Sequence, residues 1–244
     1  MDSILYDSKN DQTYRFGLHI LDYVPHNMKQ SIIDIGSGSG ALTRELSYYA
    51  GYVIGIDKCL KTVRKAQNKY PMVPFYVMDA CRLQYENRFD VAFSNATFHE
   101  IEDKEKLYES VYKCLKNGGR LIAEFASKNG NREFFDALDR EIETRHLGND
   151  ARVYFLINKD QCIEYLEKQG FRIEHIEENV RTTYVRGGDR EVREMLSTAI
   201  STSVDKAVRE EIIDNLMKAI EAKFKTPRGW VKEVCRLRVI AVKD

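Results

Sequence analysis

Three glycines spaced two residues apart, Gly36, Gly38 and Gly40, follow a short apolar run that ends in Asp34, with Ser37 and Ser39 between them. A stretch so poor in Cβ atoms turns sharply out of a strand and lets its backbone approach a nucleotide closely at the start of a helix. The spacing is G-x-G-x-G, whereas dinucleotide sites use G-x-G-x-x-G, and this favours a ligand without a pyrophosphate. A glycine-rich turn that holds no ligand is the reading this stretch leaves open on its own.

Three further groups fall at the ends of apolar runs. Asp57 closes "YVIGID", where a carboxylate can accept from both hydroxyls of a ribose, each such bond being worth roughly 1.5–3 kcal/mol. Nicotinamide and S-adenosylmethionine sites share that requirement. Asp79 closes "VMD" and can accept from an adenine amino group while the Ala80 amide donates to the ring; capping a turn is its competing role. The segment "FSNATFHEI" then brings Asn95, Phe98 and His99 to the carboxyl edge of the sheet, where ligands bind in open α/β folds.

The elements that must position these groups are legible from periodicity. Short runs rich in Val, Ile and Phe ("SIIDI", "GYVIGID", "PFYVMD", "FDVAFSN", "GRLIAEF") alternate with amphipathic segments near 41–49, 59–69 and 103–115, which predicts a parallel sheet flanked by helices. Asn117, Gly118 and Gly119 are expected to close the last of these helices in left-handed conformations. After Phe125 the alternation stops. A helix over about Arg132 to Arg145, the apolar string "VYFLI", a helix ending at Gly170, the strand-like "FRIEHIEE" and "RTTYVR", helices near 189–203 and 205–224, and a final strand "CRLRVIAV" follow. Val204, Val208, Ile212 and Leu216, with Ile213, Met217, Ile220 and Phe224 beside them, mark the packed face of the longest helix.

Composition narrows the function classes. With 38 Lys and Arg against 38 Asp and Glu, the 244 residues carry no bulk charge for holding a polyanion, so nucleic acid is not the expected partner. The basic residues Lys58, Lys61, Arg64, Lys65 and Lys69 share one segment and read as a solvated helix face. Five scattered cysteines without a C-x-x-C pair predict reduced thiols and no metal site. The N-terminus lacks a signal-peptide pattern and no run of about 18 apolar residues occurs, so a cytoplasmic protein with no membrane partner is expected.

Taken in order, "IIDIGSGSGALTREL", "VIGIDKC", "MDAC", "FDVAFSNATFHEI" and "LKNGGRLIAEF" resemble the class I S-adenosylmethionine-dependent methyltransferases of the small-molecule type, over about residues 30–126. The resemblance implies an α/β, Rossmann-like fold whose mostly parallel sheet ends in an antiparallel strand, here "CRLRVIAV". It implies S-adenosyl-L-methionine as cofactor, held by Asp34, Gly36, Ser37, Gly38, Gly40, Asp57, Lys58, Asp79, Ala80, Asn95 and Phe98. The expected organisation is an N-terminal helical lid segment (1–29), a core (30–180 and 234–244) and a helical cap insertion (181–233) contributing to the acceptor pocket.

The chain ends are similar to the trans-aconitate methyltransferase group, which methylates small carboxylic acids, on Leu5, Tyr6, Arg181, Thr182, Thr183 and Tyr184. Where that group tends to carry Gln-Trp after the fourth strand, this chain has His99-Glu100, closer to small-molecule methyltransferases in general.

Methyl transfer from a sulfonium needs no nucleophilic side chain; proximity and exclusion of water supply roughly 7–11 kcal/mol. A carboxylate acceptor is already ionised and needs only a clamp, for which the face of "RTTYVR" bearing Tyr184 is the candidate. A hydroxyl or amine acceptor must lose a proton, and His99 is then the candidate base; lining the pocket is its alternative. Tyr6 and Tyr14 are candidates for a lid, with helix packing as an equal account of Tyr14. The expected function is therefore O-methylation of a small carboxylic acid. The alternatives are base-assisted O- or N-methylation with His99, a non-catalytic adenosylmethionine-binding regulator, and a nicotinamide oxidoreductase.

Overall fold

The apolar runs pair side by side as parallel strands: β1 (Asn27–Ile35), β2 (Ala50–Asp57), β3 (Phe75–Val77), β4 (Phe89–Asn95) and β5 (Leu115–Ala126). With β6 (Phe171–Val185) and β8 (Gly229–Lys243) they form one sheet in the order β3-β2-β1-β4-β5-β8-β6, and the two-residue β7 (Lys225–Thr226) pairs antiparallel with β8. The sheet is mostly parallel with antiparallel last strands. The computed structural model describes residues 14–244, which divide into two units.

The first unit runs to Phe125 and includes Lys159–Glu177 and Leu237–Asp244. Its strands are apolar on both faces because helices cover both. Residues 14–21 form helix α1, followed by α2 (Ala41–Leu46), α3 (Leu60–Lys69), α4 (Lys104–Cys114) and, after the second unit's first segment, α6 (Lys159–Gln169). On one face Ile20, Leu21 and Val24 pack with Ile32, Val91, Phe93, Ile122 and Ile240; Val63 and Ala66 of α3 close over Phe75.

Register decides what emerges at the carboxyl edge. Ile33 lies opposite both Ile54 and Ala92, Asp57 opposite Val77, and Asn95 opposite Glu124. Equal advance along parallel strands therefore brings Gly36, Asp57, Asp79 and Asn95 out on one side, the juxtaposition the sequence predicts.

Two boundaries differ from expectation. Helix α4 ends at Cys114, and Asn117–Gly119 lie inside β5, where the register jumps from Phe89–Leu115 to Val91–Arg120. Gly118, with φ +76°, thus serves a strand irregularity instead of a helix exit, the bulge use of a left-handed glycine. The segments "FRIEHIEE" and "RTTYVR" are one continuous strand, β6.

The second unit joins Ala126–Asn158 to Glu178–Arg236, and so contains the whole of 181–233. Helices α5 (Arg132–Thr144), α7 (Gly188–Ser197) and α8 (Lys206–Phe224) enclose a separate core. Ile212, Ile213, Leu216, Ile220 and Phe224 of α8 are buried there with Phe134, Leu138, Val192, Leu196 and Trp230, as the periodicity predicts. The string 153–157 forms no regular element; Arg152 bridges Ile200 and Tyr154 packs on this core. Arg193 pairs with Glu210 at 2.9 Å and with Asp214, and Arg145 with Glu211 at 2.9 Å, tying α8 to α7 and α5. No helix among the described residues is long and apolar enough to cross a membrane.

Candidate functional site

The loop after β1 is shaped by the protein before any ligand enters. Gly36 has φ +76°, and a Cβ there would lie 2.0 Å from Thr97 Oγ1; Gly40 has φ +80°, and a Cβ there would lie 2.6 Å from the Phe75 ring. Glycine is required at both by backbone conformation and by close approach. The loop amides are largely spent internally: Gly36 and Ser37 donate to Ile56 O at 2.8 Å, Gly38 to Asp57 Oδ2 at 3.2 Å and Gly40 to Ser37 O at 2.9 Å. What remains is the Ser37 hydroxyl, buried with no hydrogen-bond partner among the described residues. Such a group loses free energy unless a ligand completes it, about 1–3 kcal/mol.

Asp34 points away from the loop's open side. It is 2% exposed, and Thr43 Oγ1 of α2 donates to its Oδ2 at 2.6 Å. Burial pushes its carboxyl up to about 7; the Thr43 bond opposes the rise and the charge of Asp57 adds to it. Asp34 is thus a brace beneath the loop.

Asp57 stands at the end of β2, partly open, accepting from the Gly38 amide and, through Oδ1, from the Cys59 amide at 2.8 Å. The carboxylate is held rigidly while each oxygen keeps acceptor capacity. Lys58 is exposed beside it. Asp79 Oδ1 caps the 3-10 turn Ala80–Arg82, accepting from Cys81 N at 2.9 Å, which is its competing role realised at one oxygen. Oδ2 has no protein partner among the described residues, so an adenine contact is still compatible. Ala80 is buried at the head of that turn.

The exit of β4 is strained. Ala96 adopts φ +58°, a left-handed conformation that costs a residue with a Cβ about 1–2 kcal/mol. Its amide donates to Glu124 O at 2.7 Å, and Thr97 Oγ1 reaches Gly36 O at 3.4 Å, so the turn is fixed against both β5 and the glycine loop. Asn95 is 7% exposed and lies against α1, since a Cβ on Gly17 would come within 2.8 Å of its Nδ2. His99 is buried in the 3-10 turn Phe98–Glu100. Glu100 is reached by solvent, yet desolvation holds its carboxyl above the ordinary range, with Lys58 opposing and Asp57 adding. Lys58 and Asp57 are thus the charged groups that act on Glu100.

Besides Asp34, a second expected contact residue is placed elsewhere. Phe98 is fully buried, its ring edge-to-face with Tyr108 at 5.8 Å and 5.6 Å from Phe125. The turn directs it into the core because a phenyl ring flanked by two aromatic neighbours gains more from burial than from a partly polar cleft. Tyr14 donates to Glu45 Oε1 of α2 at 3.4 Å, the packing account of this residue, whereas Leu5 and Tyr6 lie outside the described residues. Thr43, Thr97 and Lys104 are not marked from sequence, and Glu100 enters there only as the partner of His99 in the His99-Glu100 pair. Thr97 leaves a signal in its place within "SNAT".

In the second unit Tyr184 is 60% exposed near the end of β6. Its neighbour Thr183, on the opposite pleat, has a buried hydroxyl without a partner among the described residues.

The model of a family described as a methyltransferase domain matches residues 33–123. An uncharacterised methyltransferase of Schizosaccharomyces pombe is 26% identical over 230 residues, 87% of this chain and 86% of its own length. Phosphoethanolamine N-methyltransferase 2 of Caenorhabditis elegans is 31% identical over 173 residues, 68% of this chain and 36% of that protein. Malonyl-[acyl-carrier protein] O-methyltransferase of Bacillus anthracis is 27% identical over 131 residues, 52% of this chain and 49% of that protein. The chain thus spans half or less of the last two. Among solved structures, the YcgJ protein of Bacillus subtilis superposes with a TM-score of 0.69 at 17% identity over 93% of this chain and 97% of its own, which shows a shared fold.

Proposed function

We propose that this chain, a class I S-adenosylmethionine-dependent methyltransferase by its domain over residues 33–123, methylates an oxygen of a small carboxylic acid. The cofactor is S-adenosylmethionine, which supplies an activated methyl group on a sulfonium. The observation that carries the assignment of its site is the buried, unpartnered Ser37 hydroxyl in a loop braced by Asp34 and Thr43. Ser37 would hold a polar group of the cofactor, Asp57 its ribose hydroxyls and Asp79 its adenine amino group. The Gly36, Gly38, Gly40 loop, with Lys58, Ala80 and Asn95, would complete the wall.

For the acceptor, support comes from the similarity of "RTTYVR" to carboxylic-acid methyltransferases and from a relative named for O-methylation of a malonyl group. Tyr184, on the exposed face of β6, is the proposed acceptor-binding group. An ionised carboxylate needs orientation and dry surroundings, and no side-chain base. Labelled cofactor offered with a panel of di- and tricarboxylic acids, phenols and amines tests this. Turnover of the acids is expected; turnover of only phenols or amines would overturn it.

Base-assisted methylation of an amine or hydroxyl is the second reading, favoured by His99 on the β4 turn and by the relative named for N-methylation of phosphoethanolamine. In that case His99 takes the acceptor's proton before transfer. A His99→Ala variant that stays active with an unchanged pH profile removes this role.

A further inference from the structure

Lys104 opens α4 and is 4% exposed. Its Nζ donates to Phe98 O at 2.8 Å and to Ile101 O. Among the described residues no carboxylate pairs with it. A buried ammonium with no counter-ion is expensive, and apolar residues of similar size usually fill such a site at least as well for stability. Its position offers a reason for its presence.

The two carbonyls it binds flank His99 and Glu100 of the 3-10 turn Phe98–Glu100; Phe98 O also accepts from the Ile101 amide at 3.3 Å, and the ammonium takes up a remaining lone pair on each carbonyl. The strained Ala96 lies two residues before that turn, ahead of its N-cap Thr97. On the other side, Cys81 Sγ donates to Asp103 O at 3.5 Å and Leu83 N donates to Ser110 Oγ at 2.8 Å, so α4 and its N-cap residue also anchor the turn after Asp79. Lys104 therefore stands where the adenine-side turn and the β4 turn meet.

We propose that Lys104 is a positioning residue for the cofactor site, its ammonium holding the Ala96–Ile101 turn in the geometry that cofactor binding requires. This rests on the reading that the β4 turn borders the cofactor. The groups facing the ammonium are Cys81, Cys162 of α6 and, through Cys162, Tyr108, whose hydroxyl lies 3.2 Å from that sulfur; Asp103 precedes it in the chain. Burial lowers Lys104 to about 8, with both cysteines opposing, while burial pushes the Cys81 thiol up to about 11 and Tyr108 well above its ordinary value. Loss of the Lys104 proton is thus open to titration in a window clear of Cys81 and Tyr108. Cys59, whose thiol the Thr62 bond lowers, is replaced by Ser in every protein tested so that it does not contribute.

The experiment is calorimetry with S-adenosylhomocysteine between pH 7 and 9.5. At pH 7, Lys104→Met is expected to bind about tenfold more weakly than its parent. Across the pH range the parent should lose about fivefold more affinity than the variant, because only the parent has an ammonium to lose. Equal affinity at pH 7, or parallel pH profiles, would overturn the proposal while leaving the cofactor assignment intact. A parent that does not bind S-adenosylhomocysteine overturns both. Should Lys104→Met fail to fold, amide exchange in the parent decides: protection at His99–Ile101 must fall as pH passes about 8, after correction for intrinsic rates, and unchanged protection overturns the proposal.

Discussion

The Thr43 hydroxyl donates to the Asp34 carboxylate at 2.6 Å in a fully buried setting, joining the strand before the glycine loop to the helix after it. Because burial raises Asp34 from 3.8 to about 7, folding favours its protonated form. Its contribution to stability is fully present below pH 4 and is lost as pH rises to about 7, at most ~4 kcal/mol at 1.36 kcal/mol per unit. Asp34→Asn is expected to abolish that part of the slope in urea unfolding measured from pH 4 to 8. A slope equal to the parent's would show that Asp34 does not titrate in this window.

Thr43→Val leaves the Asp34 carboxyl without its donor. A loss of about 1–3 kcal/mol is expected, with a steeper fall of stability toward neutral pH, since the bond that lowers Asp34 is gone. Unchanged thermal stability at pH 7 would count against the brace.

Asp57→Ala should weaken S-adenosylhomocysteine binding about tenfold or more, combining the lost ribose acceptor with release of the Gly38 and Cys59 amides. Calorimetry reads this directly. Unchanged affinity would remove Asp57 from the site.

Gly36→Ala collides with Thr97 and forces a Cβ into φ +76°. Binding of S-adenosylhomocysteine should be lost, and adding Thr97→Ala should restore only a small part of it, because the Cβ at position 97, 2.6 Å from the new methyl, and the backbone strain both persist. Full restoration would show that the contacts with Thr97 Oγ1 and Cγ2 alone require the glycine.

Away from the loop, Arg238 reaches Glu124 at 2.7 Å and Glu177 at 3.0 Å, with side-chain exposures of 14% for the arginine and 5% for Glu124. The Tyr23 hydroxyl completes the cluster, accepting from Arg238 Nη1 at 3.2 Å. Glu124→Ala leaves a largely buried guanidinium half paired and should destabilise the protein by roughly 3–5 kcal/mol, whereas Glu124→Leu with Arg238→Met should be much milder. Equal losses in denaturant unfolding would refute a charge-based origin.

Much of this architecture follows from residue order alone. Apolar runs ending in Asp34, Asp57 and Asn95 specify parallel strands whose ends carry polar groups, because burial on both faces demands near-continuous apolar strands and polar residues mark where they stop. The cofactor class was legible once Asp79 and the "FSNATFHEI" segment are counted with them, since the glycine turn and Asp57 alone are shared by nicotinamide and S-adenosylmethionine sites.

Side-chain direction was not legible, and it separates Asp34 and Phe98 from the residues around them. Both belong to recognisable motifs, yet one carboxylate turns under the loop to Thr43 and one ring turns into the core beside Tyr108 and Phe125. Which way a residue points at a strand exit depends on the neighbours that tertiary packing brings up, not on its type. Lys104 shows this most clearly: in the sequence it is an ordinary charged residue at a helix start. Only the fold, by closing Phe98, Ile101 and Cys81 around its ammonium, removes it from water and gives it carbonyls to hold.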